Sequence, residues 1–499
     1  MIEPVIIGGG RVIAYNADCR DVLRQMTEQG ERVHTVCSDP PYHLTSIVKR
    51  FGKAGAAPAV HGTDGAFARA SKGFMGKQWD GVTEGELPIA FDPATWALHL
   101  DALVPGGYIT AFSSSRGFGE MSEAIRSAGF VIHPMLENIL SMEPSVAAFW
   151  ESLSTEQAEA FARIVDSQDP AGHLSWLFGS GMPKATRLKA PDTDHLRYGG
   201  QALKPALEPI FMGQKPMEGT GTENWLQHGT GPVNIDAARI DGHGEIITTH
   251  SRGSSEAYAK RPGERSASES GRLTPQNRPE FVGNERTGRW PANVLHDGSP
   301  EVLEAFGAFG ERASKRGPDS TATGKTSHRG VCYGNGLERV GEAFGDSGSA
   351  ARFFYEAKAS KEDRWFLCRV CGTAHPARAI GAHVHGLETT DHLVQHPTVK
   401  PLEMIRWLVR LTAPERGQTV WDGFAGTGST AVACLAEGRR AIVCERDPDY
   451  FRILVARCRH YAGEGSHTAS APKVRRNAAP PAPLPLLAAI QAVPAPPAE

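Results

Sequence analysis

Short apolar runs that alternate with helix-patterned stretches, near both ends of one chain, constrain this sequence more than any other feature. They require a mainly parallel α/β sheet whose strands are joined by helical crossovers. Near the N-terminus, residues 12–15 read as a strand, 21–29 as a helix and 33–37 as a buried strand. That strand runs into Ser38-Asp39-Pro40-Pro41-Tyr42, where two prolines without N–H groups stop the ladder. A helix at 95–103, a turn at Pro105-Gly106-Gly107, a strand at 108–113 and a helix at 120–128 follow, then strands at 130–133, 174–178 and 209–212. A second such unit lies towards the C-terminus. It has a helix at 402–411, a strand at 419–421, the glycine turn Asp422-Gly423-Phe424-Ala425-Gly426-Thr427-Gly428, a helix at 430–436 and a strand at 441–444 ending at Glu445.

At 499 residues the chain is long enough for two or three domains. The 55 glycines and 35 prolines of the whole chain support long irregular stretches. Residues 141–172 turn helical and polar, as an inserted hairpin or lid would. Residues 216–350 are rich in Gly, Ser and Arg, with one basic window containing Arg252, Lys260, Arg261, Arg265, Arg272, Arg278, Arg286 and Arg289 and another containing Arg312, Lys315, Arg316, Lys325 and Arg329. Residues 463–499, rich in Ala and Pro, read as a disordered tail. The expected organisation is therefore 1–215, 216–350, 351–395, 396–462 and the tail.

No apolar run approaches the ~18–20 residues of a membrane span, and the N-terminus lacks a signal-peptide core, so a cytoplasmic protein without membrane association is expected. Eight cysteines over this length make no disulfide framework. A net charge of −3 gives no global footprint for nucleic acid, so any such partner has to be met by local basic patches.

Two motifs carry chemistry. Gly426 and Gly428, between a strand and a helix, allow tight-turn angles and a close approach of a ligand to the main chain. Glu445 ends the next strand, where an acid in a nucleotide-binding fold accepts from ribose hydroxyls. No Lys-Ser/Thr pair completes a phosphate-binding loop. Asp39-Pro40-Pro41-Tyr42 presents a carboxylate, a proline carbonyl and an aromatic face in one stiff turn, a set suited to an aromatic amine. Asp39 and the Pro40 carbonyl accept both hydrogens of an exocyclic NH2, while Tyr42 stacks on the ring.

Taken together, DPPY followed by FxGxG resembles the β class of S-adenosylmethionine (SAM)-dependent amino DNA methyltransferases. The resemblance covers most of the chain outside 141–172 and the tail. It implies a Rossmann-like methyltransferase fold with an inserted target-recognition domain, placed at 216–350. It also implies that Asp39, Pro40 and Tyr42 hold the target base and that Phe424, Gly426 and Gly428 line the SAM pocket, with Ser429 and Thr430 beside them, Asp39 and Lys400 also at the cofactor and Glu445 on the ribose. Asp18 matches the family's acid near the SAM adenine, and Lys400, in His396-Pro397-Thr398-Val399-Lys400-Pro401, lies in the segment before the SAM-binding helix. Lys77-Gln78-Trp79-Asp80, residues 203–210, residues 289–294 and Arg352-Phe353-Phe354-Tyr355 look like phage and prophage members. Gly423 departs from the family, which commonly has Pro there.

The implied activity is methyl transfer to adenine N6 in double-stranded DNA after base flipping, within restriction-modification or alone. Asp rather than Ser before Pro-Pro favours adenine; cytosine N4 and an inactive DNA-binding protein are the alternatives. The absence of a Pro-Cys motif near the catalytic turn argues against cytosine C5 chemistry, which needs a thiolate. A homodimer is compatible with all of these.

Cys368-Arg369-Val370-Cys371 forms half of a tetrahedral zinc site, which two of His375, His383 and His385 complete. Because His383 and His385 are only two positions apart, the expected pair is His375 with either of them. Such a zinc would be structural.

Overall fold

The computed structural model describes residues 1–42, 87–132, 154, 173–179, 184–187, 197–201, 203–240, 246–250, 283–310, 348–387, 390 and 392–464. The Lys77-Gln78-Trp79-Asp80 stretch, the 141–172 segment apart from Ser154, most of both basic windows and the tail from 465 lie outside them.

A ten-stranded sheet carries the site. Its strands are β1 (Val5–Ile7), β2 (Val12–Tyr15), β3 (Val33–Ser38), β4 (Leu103–Phe112), β5 (His173–Leu177), β8 (Leu207–Gln214), β11 (Val294–His296), β12 (Tyr355–Glu356), β16 (Thr419–Asp422) and β17 (Arg440–Cys444), in the order β1-β2-β17-β16-β3-β4-β8-β5-β11-β12. From β2 to β4 every pair is parallel; β8 is antiparallel to both neighbours and β1 to β2. Two two-stranded antiparallel sheets pair β6 (Lys184–Arg187) with β7 (Arg197–Gln201) and β9 (Ile246–His250) with β10 (Gly283–Thr287). A three-stranded sheet joins β13 (Trp365–Cys368), β14 (Thr373–Pro376) and β15 (Leu393–Gln395).

Eight α-helices are described: α1 (Cys19–Glu28), α2 (Pro93–Ala102), α3 (Phe118–Ser127), α4 (Gly221–His228), α5 (Pro300–Gly307), α6 (Leu402–Thr412), α7 (Ser429–Glu437) and α8 (Pro448–Ala462). Period-two alternation along the strands feeds two cores, one on each face of the sheet. Val420, Ala441 and Val443 pack with α6 and α7, whereas Trp421, Ile442 and Cys444 pack with α1, α2 and α3. Helix α1 shows why such segments are helical: Asp18 caps it by accepting from the Arg20 N–H, and Cys19, Val22, Leu23 and Met26 form one buried face. No helix among the described residues is long and apolar enough to cross a membrane.

This is a Rossmann-like α/β fold in which the C-terminal β16 and β17 lie between the N-terminal β2 and β3. From β16 the chain passes to β17 on one side, and from β3 to β4 on the other. The β16–β3 pair is thus a topological switch point, where the carboxyl ends of the strands open a crevice for ligands. The turn at 105–107 is not a break, because β4 runs through it. The Gly106 N–H donates to Lys215 and Pro216 carbonyls, Gly107 O accepts from Lys215, and the register with β3 shifts at Val33/Thr35. The strand at 130–133 reduces to a bridge between Val131 and Gln214; His133 lies outside the described residues.

Within 216–350, residues 216–240 lie against the sheet rather than apart from it. Asn224 donates to the Pro105 and Thr230 carbonyls, the Asn234 N–H to Leu411 O, and Trp407 Nε1 to Ala238 O.

Candidate active site

The glycine turn leaves β16 at Asp422 and enters α7 at Ser429. Gly426 and Gly428 have φ of +52° and +83°, values that L side chains rarely adopt. The Gly426 N–H donates to Glu445 Oε2 at 2.8 Å and the Asp447 N–H to Glu445 Oε1 at 2.7 Å, so one carboxylate ties the turn to the start of α8. Burial pushes the Glu445 carboxyl up to about 7, against these two donors. A Cβ at Gly426 would lie 3.2 Å from the His396 ring, so the imidazole already occupies the space a side chain would take.

Ser429 and Thr430 brace the turn from within. Ser429 Oγ and Thr427 O accept from the buried Arg457, and Thr430 is buried at the start of α7. Burial pushes Asp422 up to about 6. Gly423 is explained by crowding: a Cβ there would lie 3.0 Å from Cys19 Cβ and 3.2 Å from His99 Nε2. His99 is neutral, its pKa pushed down to about 4 by burial, and its Nδ1 donates to Thr95 O at 2.8 Å. Its ring is parallel to Phe424, within 13°.

The Asp-Pro-Pro-Tyr turn begins where β3 ends, beside β16. Ser38 Oγ donates to Asp422 Oδ1 at 3.0 Å and accepts from the Gly423 N–H, so the two turns share a hydrogen-bonded junction. Beyond it, four groups from distant parts of the chain converge. Lys400 Nζ lies 3.1 Å from Asp39 Oδ2, 3.2 Å from Glu208 Oε1 and 2.8 Å from the Tyr42 hydroxyl. The Tyr42 oxygen is also 2.8 Å from Asp39 Oδ1 and 2.6 Å from Glu208 Oε1. The Lys400 nitrogen also lies 5.1 Å from the Tyr42 ring centroid.

The phenol has one proton for two short oxygen contacts. The Lys400 ammonium donates to the phenol oxygen, and the phenol donates to one of the two carboxylates, Asp39 or Glu208. Burial raises the Glu208 carboxyl above its ordinary value, opposed by the Lys400 ammonium and reinforced by the Asp39 charge. Burial works against the Lys400 charge, but Asp39 and Glu208 outweigh it and hold the ammonium above the usual lysine range.

Sequence reasoning assigned no role to Glu208. Its only signal is an acid on β8, inside the 203–210 stretch. Asp18 is engaged otherwise than as a free acceptor: it caps α1 and pairs with Arg20 through both oxygens, at 3.0 and 2.9 Å. Arg289 and Arg352 are used internally. Arg289 donates to Arg352 O, and the Arg352 guanidinium lies 4.3 Å from the Phe353 ring centroid. Of the zinc candidates, Cys368, Cys371, His383 and His385 come together. His375 stands beside that group: its Nε2 is 3.6 Å from Cys371 Sγ and 2.7 Å from Thr373 Oγ1.

Residues 336–456 match the family model N6_N4_Mtase, described as DNA methylase. The type II methyltransferase M.BglI of Bacillus subtilis is 38% identical over 63 residues, which are 13% of this chain and 17% of that protein's length. Among solved structures, a complex of M1.HpyAVI with SAM covers 89% of this chain and 99% of its own at 12% identity and a TM-score of 0.31. The cytosine-N4-specific PvuII DNA methyltransferase covers 89% and 86% at 10% identity and a TM-score of 0.35. TTHA0409 of Thermus thermophilus, complexed with SAM, covers 89% and 94% at 14% identity and a TM-score of 0.29.

Proposed function

We propose that this protein is a SAM-dependent amino DNA methyltransferase of the β class and phage or prophage type, methylating adenine N6 in double-stranded DNA at a short defined sequence. The observation that carries the reading is the junction of two turns at the switch point. The turn that suits an aromatic amine and the turn that suits a nucleoside cofactor share the Ser38–Asp422 hydrogen bond. The DNA methylase match over 336–456 supports it.

The residues fit SAM: Gly426 and Gly428 take the positive φ of a tight turn between β16 and α7, and Glu445 has lone pairs beyond the two used by Gly426 and Asp447 for ribose hydroxyls. Bound there, SAM supplies an electrophilic methyl on sulfonium. Phe424, Gly426 and Gly428 line its pocket, braced by Ser429 and Thr430, and Asp18 lies on the adenine side. Asp39 and the Pro40 carbonyl accept the two amino hydrogens of the target base. They localise the nitrogen lone pair and stabilise the positive charge that develops there. Tyr42, fixed through its hydroxyl, offers a ring face for stacking, and Lys400 with Glu208 holds Asp39 in place. An amino group inside a duplex cannot meet these groups, so the base is flipped at a cost of a few kcal/mol, recovered from stacking and phosphate contacts. We assign sequence reading to the basic windows of 216–350.

Single-molecule sequencing of DNA from a host expressing the protein tests the reading. One modified adenine motif is expected. Modified cytosine alone would move the target to N4, and unmodified DNA would favour an inactive DNA-binding protein.

A further inference from the structure

We propose that Cys368, Cys371, His383 and His385 form a closed tetrahedral site for one structural zinc ion. The site is independent of the methyl-transfer reading. One ligand atom from each residue lies within 4.8 Å of all the others. Metal–sulfur bonds of ~2.3 Å and metal–nitrogen bonds of ~2.0–2.1 Å imply tetrahedral sulfur–nitrogen edges of roughly 3.5 Å. Cys368 Sγ is 3.3 Å from His385 Nε2, and Cys371 Sγ is 3.6 Å from His383 Nδ1.

The backbone is shaped to present these atoms. Cys368 ends β13, and the chain turns so that the Gly372 N–H donates to Cys368 O at 2.8 Å, with Gly372 at φ +74°. Both thiols thus flank one tight turn. His385 is the sole non-glycine residue with positive φ among the described residues, at +52°. This reversal lets two histidines only two positions apart serve one centre, where the expectation from finger spacing favoured His375. His375 Nε2 is also 3.6 Å from Cys371 Sγ, but it is not among the four residues whose ligand atoms all lie within 4.8 Å of one another; its ring lies 3.9 Å from that of His383, and Thr373 Oγ1 contacts both His375 Nε2 and Cys371 Sγ, as a supporting group around a thiolate ligand does. His392 Nε2 bonds His383 O at 2.8 Å.

Two thiolates and two imidazoles in a tetrahedron select zinc, and four protein ligands leave no open position for catalysis. The site secures a platform. Trp365, Leu367, Ala374 and Val394 of the three-stranded sheet pack on Tyr450 and Ile453 of α8, and Arg369 pairs with Asp449 at 2.7 Å. The Tyr450 ring lies 4.7 Å from that of His396, the imidazole that faces Gly426.

Elemental analysis of the tag-free full chain, purified without chelators, is expected to give about one zinc per chain. His375→Asn keeps it; Cys371→Ser and His385→Asn lose it. Cobalt exchanged into the wild-type protein should show the intense visible bands of a tetrahedral ion and a thiolate charge-transfer band. That spectrum decides the matter by itself if a variant does not fold. Less than about a tenth of an equivalent of metal, a Cys368–Cys371 disulfide, the weak spectrum of octahedral cobalt, or metal lost by His375→Asn and kept by His385→Asn would each overturn the assignment.

Discussion

Tyr42 and Lys400, 358 residues apart in the chain, meet at 2.8 Å, with Asp39 and Glu208 closing the same cluster. The ends of the chain build one site because β16 and β17 insert between β2 and β3. The cluster is a buried charge network with one ammonium for two carboxyl groups, and its stability is directly testable. Lys400→Met leaves those carboxyl groups facing each other and should destabilise the fold by about 3–5 kcal/mol in urea unfolding. Adding Glu208→Gln should restore at least ~1 kcal/mol, a coupling that independent sites would not show.

Asp39→Ala separates the two turns functionally. Turnover should fall by at least ~10²–10³-fold, the cost of losing a group that stabilises developing charge. SAM affinity by calorimetry should stay within about threefold, since no contact from Asp39 to the glycine turn is needed for that turn's shape. Equal losses of turnover and SAM affinity would mean that Asp39 supports the fold instead.

Gly426→Val tests the cofactor turn. It combines a φ of +52° with a Cβ 3.2 Å from His396, so strain of ~1–2 kcal/mol adds to a filled approach. A loss of SAM affinity of at least tenfold is expected, and unchanged affinity would place the cofactor elsewhere.

The Glu445 carboxyl gives SAM binding a pH dependence. Its free-protein value of about 7 means that it is largely protonated at pH 6, whereas accepting from ribose hydroxyls favours the ionised form. Binding should therefore release a proton below pH 7. Affinity should rise with pH through that value by no more than tenfold per unit and level off above it. Calorimetry in two buffers of different ionisation enthalpy detects the proton; affinity that falls as pH rises would reverse the assignment.

The two turns were legible in the sequence because proline and glycine act through the local backbone: Pro40 and Pro41 end a strand, and Gly426 and Gly428 take positive φ, whatever else the chain does. Glu208 was not legible. It meets Tyr42 and Lys400 only through the order in which β8, β4, β3 and β16 are laid side by side, which no local pattern encodes. The same long-range pairing overrode Pro105-Gly106-Gly107, a turn by composition that Lys215 draws into β4. The role of Gly423 likewise needed His99 and Cys19 to be in place.

Incubating the purified protein with isotopically methyl-labelled SAM and unmodified duplex DNA, then digesting to nucleosides for mass spectrometry, tests the central claim most directly. Label in N6-methyldeoxyadenosine, abolished by Asp39→Ala, is the predicted result. Label confined to cytosine, or no labelled nucleoside from protein that binds SAM, would contradict it.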